Sequence, residues 1–236
     1  MVVAEIKPLT EIKEMVKKFK KILVLGCGDC VSVCLSGGKK QVELLASALR
    51  TAKRMEGDDI TIGEKTILRQ CEPKFIDQII DDASGYDAVV SMACGAGVQA
   101  VVEKIAGLPV LPAMNTRFIG VSSGEGDFLE MCSACGECII SETGGICPVT
   151  RCAKGLMNGP CGGSKNGRCE ASPDIPCAWI LIYEKMKELG RLEDLKKIAG
   201  IKNWSKQSKP GRYETSGKED TVAVAEKKRP EKTVSK

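Results

Sequence analysis

The residues best suited to chemistry are cysteines crowded into one part of the chain. Eight of the thirteen cysteines fall within the 46 residues that end at Cys177. They open as C-x2-C-x2-C and continue at wider spacing: Cys132, Cys135, Cys138, Cys147, Cys152, Cys161, Cys169 and Cys177. The sequence between them contains few large apolar side chains, so these thiols cannot all be small residues of a hydrophobic core. We therefore expect the eight thiolates to bind metal.

Disulfide bonds are the competing explanation for so many cysteines. Disulfides belong to oxidising compartments, and the chain begins without the charged region, apolar region and cleavage site of a secretory signal. The total of thirteen is odd, which would leave one thiol unpaired in a secreted protein. The chain has no histidine, and this excludes mixed Cys/His zinc sites and histidine-based acid–base or nucleophilic catalysis. Metal thiolates are the favoured interpretation.

The spacing favours iron–sulfur clusters over zinc. Structural zinc sites usually take two separated C-x2-4-C pairs, whereas C-x2-C-x2-C opens the cluster-binding run of bacterial ferredoxins. In that run the fourth cysteine precedes a proline, as Cys147 precedes Pro148 here, although the gap is eight residues rather than three. Eight thiols divide into two four-cysteine sites. Zinc at one or more sites remains open as the alternative.

Long segments of this region resemble a known family. They include TGGICP, CAKGLMNGPCGG and GRCE, followed by the positions Cys177 to Trp179 and Ile182 to Tyr183. The resemblance is to the cysteine-rich small subunit of two-subunit methylenetetrahydrofolate reductase (MetV type), and it is strongest over residues 131–183. It implies a subunit that binds metal clusters and no flavin. A separate barrel-shaped large subunit would then hold FMN and reduce methylenetetrahydrofolate to methyltetrahydrofolate, as in the Wood–Ljungdahl pathway of one-carbon metabolism.

The chain before the cysteine-rich region alternates apolar runs with helical patterns. Strands are predicted at residues 22–25, 65–69, 87–92, 110–111 and 118–121, with helices over 9–20, 38–55, 73–84 and 97–106. This alternation predicts a Rossmann-like α/β domain with a parallel sheet over 1–122. The linker GVSSGEG, residues 120–126, leads to a metal-stapled iron–sulfur domain over 127–200, which ends in helices. Residues 206–236 are predicted to be a basic, disordered tail.

A second set of thiols follows the predicted strands. Cys27, Cys71 and Cys94 each come at the carboxyl end of a strand, where ligands bind to parallel sheets. We expect a third metal site with Cys27, Cys30, Cys34 and Cys94 as ligands and Cys71 as a neighbour or substitute. The total would be about three 4Fe-4S clusters. Buried free cysteines, a C-x2-C redox pair and a loose dinucleotide fingerprint at Gly95 are the weaker alternatives.

Clusters held entirely by cysteine have no open coordination position, so they move single electrons. We expect an electron-transfer subunit, inactive alone, that relays electrons from an upstream donor protein to the flavin of the large subunit. A structural zinc scaffold is the alternative. The formal charge of +4 is the sum of +5 from residues 201–236 and −1 from residues 1–200, so no nucleic-acid partner is expected. No apolar run spans a membrane, and a cytoplasmic location is predicted.

Overall fold

The computed structural model describes residues 1–207 and 210–212. At its centre is a parallel sheet of four strands, β2 (Lys21–Cys27), β3 (Thr61–Ile67), β4 (Ala88–Met92) and β5 (Val110–Pro112), in the order β3-β2-β4-β5. Strand order reverses beside β2, because the chain passes first to one side of it and then to the other. The apolar run from Ile22 to Leu25 is buried on both faces, which is typical of a central strand in such a sheet.

Helices cover both faces of the parallel sheet. They are α1 (Leu9–Val16), α2 (Cys30–Val33), α3 (Lys39–Met55), α4 (Pro73–Ile76), α5 (Ile80–Ala83) and α6 (Gly95–Lys104). Successive side chains of β2 point to opposite faces, so Ile22 and Val24 join one hydrophobic core while Leu23 and Leu25 join the other. The predicted α/β architecture with a parallel sheet is confirmed. The Rossmann-like description of this domain remains a prediction.

A second, antiparallel sheet connects the start of the chain to the cysteine-rich region. It contains β1 (Val2–Ile6), β6 (Met114–Gly124) and β7 (Asp127–Cys132), in the order β1-β6-β7. The prediction of a linker over 120–126 is wrong in part, because residues 120–124 complete β6 and pair with β7. The last residue of β7 is Cys132, so this sheet holds the first thiol of the cysteine-rich region on regular structure.

The cysteine-rich region contains little regular structure. Its elements are α7 (Pro148–Arg151), β8 (Arg168–Cys169), β9 (Ser172–Pro176), α8 (Ala178–Glu188) and three 3₁₀ turns at Ile140–Thr143, Leu192–Lys196 and Trp204–Gln207. Trp179, Ile182 and Met186 form a small core of their own with Cys177. Tyr183 was expected in the same apolar stripe, but it is 48% exposed.

The predicted C-terminal helices are one α-helix followed by short 3₁₀ turns. Asp174 and Pro176 lie in β9, and α8 begins after Cys177, which is its N-cap residue. The segment after α8 forms the 3₁₀ turn Leu192–Lys196. The predicted tail, residues 206–236, lies outside the described residues except for 206–207 and 210–212. In the part of the chain that is described, no helix combines the length and apolarity needed to cross a membrane.

Candidate metal centres

The first three thiols of the cysteine-rich region occupy one tight turn. Cys132 ends β7, and the turn that follows contains two residues with left-handed backbone, Ala134 at φ 51° and Gly136 at φ 79°. The Ala134 N–H points at the Cys132 sulfur, 3.4 Å away. Left-handed residues curl the chain, and an N–H directed at a thiolate sulfur is a feature of cysteine-ligated clusters. The C-x2-C-x2-C segment therefore folds as a turn suited to holding a metal.

Cys147 lies against this turn. The chain enters α7 directly after it, and its thiol donates to Thr150 Oγ1 at 3.7 Å. Thr150 Oγ1 in turn donates to Ser133 Oγ at 3.3 Å, and Ser133 is the residue after Cys132. These contacts place the Cys147–Pro148 segment beside the C-x2-C-x2-C turn.

Cys161 and Cys169 belong to a second group. The Gly163 N–H points at the Cys161 sulfur, 3.4 Å away, which repeats the arrangement at Cys132. Gly163 also lies directly against the Glu170 side chain, because a Cβ at this position would overlap the carboxylate. Glu170 follows Cys169 and forms an ion pair with Lys154. The Cys161 turn, the Cys169 hairpin and the segment after Cys152 are thus held together.

Cys152 and Cys177 approach the same group from the core side. Cys177 is buried, Cys152 packs against the small core that contains it, and Trp179 Nε1 donates to the Leu156 carbonyl at 2.9 Å. The Cys177 N–H donates to the Gly167 carbonyl at 2.8 Å, which fixes α8 to the β8–β9 hairpin. Contacts between segments thus link the parts of the chain that carry these thiols. We call Cys132, Cys135, Cys138 and Cys147 the first neighbourhood and Cys152, Cys161, Cys169 and Cys177 the second, and their division into two metal sites is a prediction.

A strap formed by residues 197–207 closes over the first neighbourhood. Asn158 and Ala199 form two hydrogen bonds, with Ala199 N donating to Asn158 Oδ1 at 2.7 Å. Lys202 is only 5% exposed and donates to the Glu137 carbonyl at 2.5 Å, while Asn203 N donates to the Glu137 carboxylate at 2.8 Å. The Asn203 hydrogen bond lowers the pKa of Glu137, assisted by the nearby lysine charges. These bonds fix Glu137, which lies between Cys135 and Cys138.

A cavity of about 970 Å³ lies beneath the strap, lined in part by Cys138, Trp179 and Arg191. Cys138 is exposed. One thiol of the first group is therefore open to a substantial space rather than packed against protein.

The thiols that follow the strands gather at one edge of the parallel sheet. Cys27 ends β2, Cys71 follows β3 after a short loop, Cys94 is the N-cap residue of α6 after β4, and Cys30 starts α2. Cys34 is directed elsewhere, because its thiol donates to the Val2 carbonyl in β1 at 3.6 Å. The strand order places Cys27, Cys71 and Cys94 after three neighbouring strands of the sheet, and their convergence on one metal stays a prediction.

Sequence reasoning did not find the buried polar residue at this edge. Gln70 is fully buried, its Nε2 donates to the Leu25 carbonyl at 2.8 Å, and its Oε1 accepts from Ser91 Oγ at 2.6 Å. No local sequence pattern marks a buried amide that hydrogen-bonds to two neighbouring strands, so the sequence did not indicate Gln70. At the start of α6, the Gly95 N–H donates to Thr116 Oγ1 at 2.9 Å.

All thirteen cysteines lie among the described residues and are free thiols. Among residues 1–207 and 210–212, no three Cys, Asp or Glu side chains are already arranged around one metal position. The donor set nevertheless fits thiophilic metals, since it consists of thiols on tight turns with N–H groups directed at two of the sulfurs. The assignment of individual thiols as ligands remains a prediction.

The structure thus combines an α/β part built on a parallel sheet with a cysteine-rich region that contains little regular structure. Residues 111–205 match the model of a protein family described as methylene-tetrahydrofolate reductase C terminal. The matched segment begins at the end of β5 and includes both thiol neighbourhoods and most of the strap, and it confirms the resemblance noted in the sequence. No curated protein and no solved structure gives a significant match to the chain.

Proposed function

We propose that this chain is the iron–sulfur electron-transfer subunit of a methylenetetrahydrofolate reductase complex. It would accept electrons from an upstream donor protein and pass them to the flavin of a separate large subunit. One observation carries the proposal. The segment that matches the family contains eight free thiols, enough for two four-cysteine clusters.

The residues of each group have distinct tasks in this proposal. Cys132, Cys135, Cys138 and Cys147 would hold one cluster, and Cys152, Cys161, Cys169 and Cys177 the other. Such clusters, when bound, supply one-electron transfer. N–H groups directed at Cys132 and Cys161 would stabilise negative charge on the sulfurs, and hydrogen bonds to sulfur raise a cluster's reduction potential.

The solvent exposure of several thiols supports electron exchange with partner proteins. Cys132 and Cys138 in the first group and Cys161 in the second are exposed, whereas Cys177 is buried. The strap beside Cys138 also presents two large apolar side chains to solvent, Ile198 at 86% and Ile201 at 97% exposure. Exposed apolar side chains next to a redox group suit a protein-docking surface. We therefore place contact with the flavoprotein at the strap.

The test is electron transfer in the assembled complex. The chain is purified anaerobically, mixed with the flavin-containing large subunit and a low-potential donor, and the FMN absorbance is followed. We expect flavin reduction with the native chain and a loss of at least about tenfold in rate with Cys132→Ser or Cys161→Ser. Ser141→Ala changes an exposed serine of the same domain and should leave the rate unchanged. Unaltered rates in both cysteine variants would exclude these thiols from the electron path.

A structural zinc scaffold is the second candidate. The small core of the cysteine-rich region suggests a domain that depends on metal for its folding, and structural zinc provides that. A zinc-loaded chain would be colourless and would bind the large subunit without changing the rate of flavin reduction. Metal identity therefore separates the two candidates before any kinetic assay.

A further inference from the structure

The register of the parallel sheet places three cysteine-bearing loops side by side, outside the segment that matches the family. Cys27 pairs with Ile67, the last residue of β3, and Gly26 pairs with Met92, the last residue of β4. Strand β2 lies between β3 and β4. The loops that carry Cys71 and Cys94 therefore leave the sheet on either side of Cys27, at the edge where strand order reverses and where open α/β sheets bind their ligands.

Specific contacts hold these loops together. Gly28 N donates to the Ile67 carbonyl at 2.9 Å, and the Cys27 thiol points to the Leu68 carbonyl at 3.9 Å. The Gln70 side chain forms hydrogen bonds with both β2 and β4, and these bonds fix the backbone next to Cys71. Gly97 in the first turn of α6 packs so closely on Gln70 that a Cβ there would lie 3.0 Å from the Gln70 Cβ. The loop bearing Cys71 is thus fixed between the Cys27 and Cys94 segments.

Cys30 belongs to the first of these loops. It starts α2 three residues after Cys27, the last residue of β2, so the C-x2-C spacing keeps the two thiols on one short segment at the end of the strand.

Cys34 belongs to a different environment. It is buried, its thiol donates to the Val2 carbonyl at 3.6 Å, and it follows the last residue of α2 as the C-cap residue. Leu35 then turns the chain away with a left-handed backbone at φ 55°. Cys34 thus packs toward β1 of the antiparallel sheet.

We propose that the edge of the parallel sheet is a separate four-thiolate metal site with Cys27, Cys30, Cys71 and Cys94 as ligands, and that Cys34 is a structural thiol. Four cysteine sulfurs without histidine or carboxylate suit a thiophilic centre, either a 4Fe-4S cluster or Zn²⁺. The site lies outside the two groups in the matched segment, so it does not depend on whether those carry electrons. It adds a third metal centre to the chain, held by the α/β domain.

The first test compares Cys71→Ser with Cys34→Ser in the full chain, purified anaerobically. Iron, zinc and acid-labile sulfide per chain are measured. We expect Cys71→Ser to lose one centre, about four iron with sulfide or about one zinc, while Cys34→Ser retains the native content. If Cys34→Ser lost metal while Cys71→Ser kept its full metal content, the proposed ligand set would be wrong. This difference in metal content does not depend on the proposed electron transfer, because both variants keep all eight thiols of the cysteine-rich region.

The second test needs no substitution and so does not depend on a variant that folds. Cys71 is exposed, so as a free thiol it should be alkylated by iodoacetamide at alkaline pH, where a thiol with a raised pKa still forms thiolate. In the native metal-loaded chain we expect Cys71 to be protected, as judged by mass spectrometry, and to become reactive after treatment with a chelator. Rapid alkylation of Cys71 with all bound metal retained would show that it is not a ligand and would refute the site.

Discussion

Gln70→Met should weaken the parallel sheet by removing a buried amide while keeping the side-chain volume. The native side chain forms two buried hydrogen bonds, one to the Leu25 carbonyl and one from the Ser91 hydroxyl. Ser91 is itself fully buried, so its hydroxyl loses a partner that water does not replace. Each buried group left without a partner costs about 1–3 kcal/mol, and a volume-conserving substitution costs little in packing. We expect the free energy of opening to fall by about 2–4 kcal/mol.

Native-state hydrogen exchange of the β2 amides measures this loss without unfolding the metal-binding region. A change of about 2–4 kcal/mol corresponds to exchange that is roughly 30- to 900-fold faster. Gln99→Met, at an exposed glutamine of α6, is the matched control and should change the opening free energy by less than about 0.5 kcal/mol. Adding Ser91→Ala to Gln70→Met should recover part of the loss, because the unpartnered hydroxyl is removed. Native exchange rates in Gln70→Met would refute the claim that this amide holds the sheet edge together.

Two further perturbations test the packing and the electrostatics of the α/β domain. Gly37→Ala would place a Cβ against the Met92 carbonyl oxygen and should lower the free energy of unfolding by about 1–3 kcal/mol. Gly124→Ala is the control, because open space surrounds Gly124, and it should change thermal stability little. Equal effects of the two substitutions would contradict the close packing at Gly37. Asp87 accepts hydrogen bonds from the backbone N–H groups of Lys21 and Lys20, and these bonds lower its pKa in the folded state. The stability that ionised Asp87 adds to the fold is therefore fully present above the unfolded pKa of about 3.9, and it is lost as the pH falls through the folded pKa. The stability difference between the native chain and Asp87→Asn should therefore shrink on acidification below about pH 4, and a constant difference from pH 6 to pH 3 would refute it.

Local patterns were enough to predict the parallel sheet. The apolar run of β2 and the strand–helix alternation are properties of short segments, and they also placed Cys27 and Cys94 at strand ends. Helix α3 was likewise predicted well, because Gly37–Gly38 precede it and its apolar spacing runs to Met55. These features depend on residues close together in sequence.

The antiparallel sheet could not be predicted in the same way. Strand β1 pairs with β6, so residues near Val2 meet residues near Ile119, and no local signal records such a pairing. The environment of Cys34 follows from this sheet, because β1 supplies the carbonyl that its thiol contacts. C-x2-C-x3-C spacing alone suggested that Cys27, Cys30 and Cys34 act together. Our proposal for the sheet edge instead makes Cys34 a structural thiol packed toward β1.

The cysteine-rich region shows a different limit. Its spacing predicted metal ligation by eight thiols but not which thiols share a cluster, and contacts such as Thr150 with Ser133 depend on the folded chain. The strap over Glu137 could not be predicted, since it depends on hydrogen bonds from Lys202 and Asn203, more than sixty residues further along the chain. A segment with little apolar content is held in place there by individual polar contacts, which leave no periodic pattern.

Metal and sulfide analysis of the anaerobically purified chain tests the central claim most directly. Two cubanes on the eight thiols of the cysteine-rich region predict about eight iron and about eight sulfide per chain, and a third at the sheet edge raises each to about twelve. The protein would be brown, and Ser substitution of Cys132 should lower the iron content by about four. A colourless protein that contains zinc and no acid-labile sulfide would contradict the electron-transfer function.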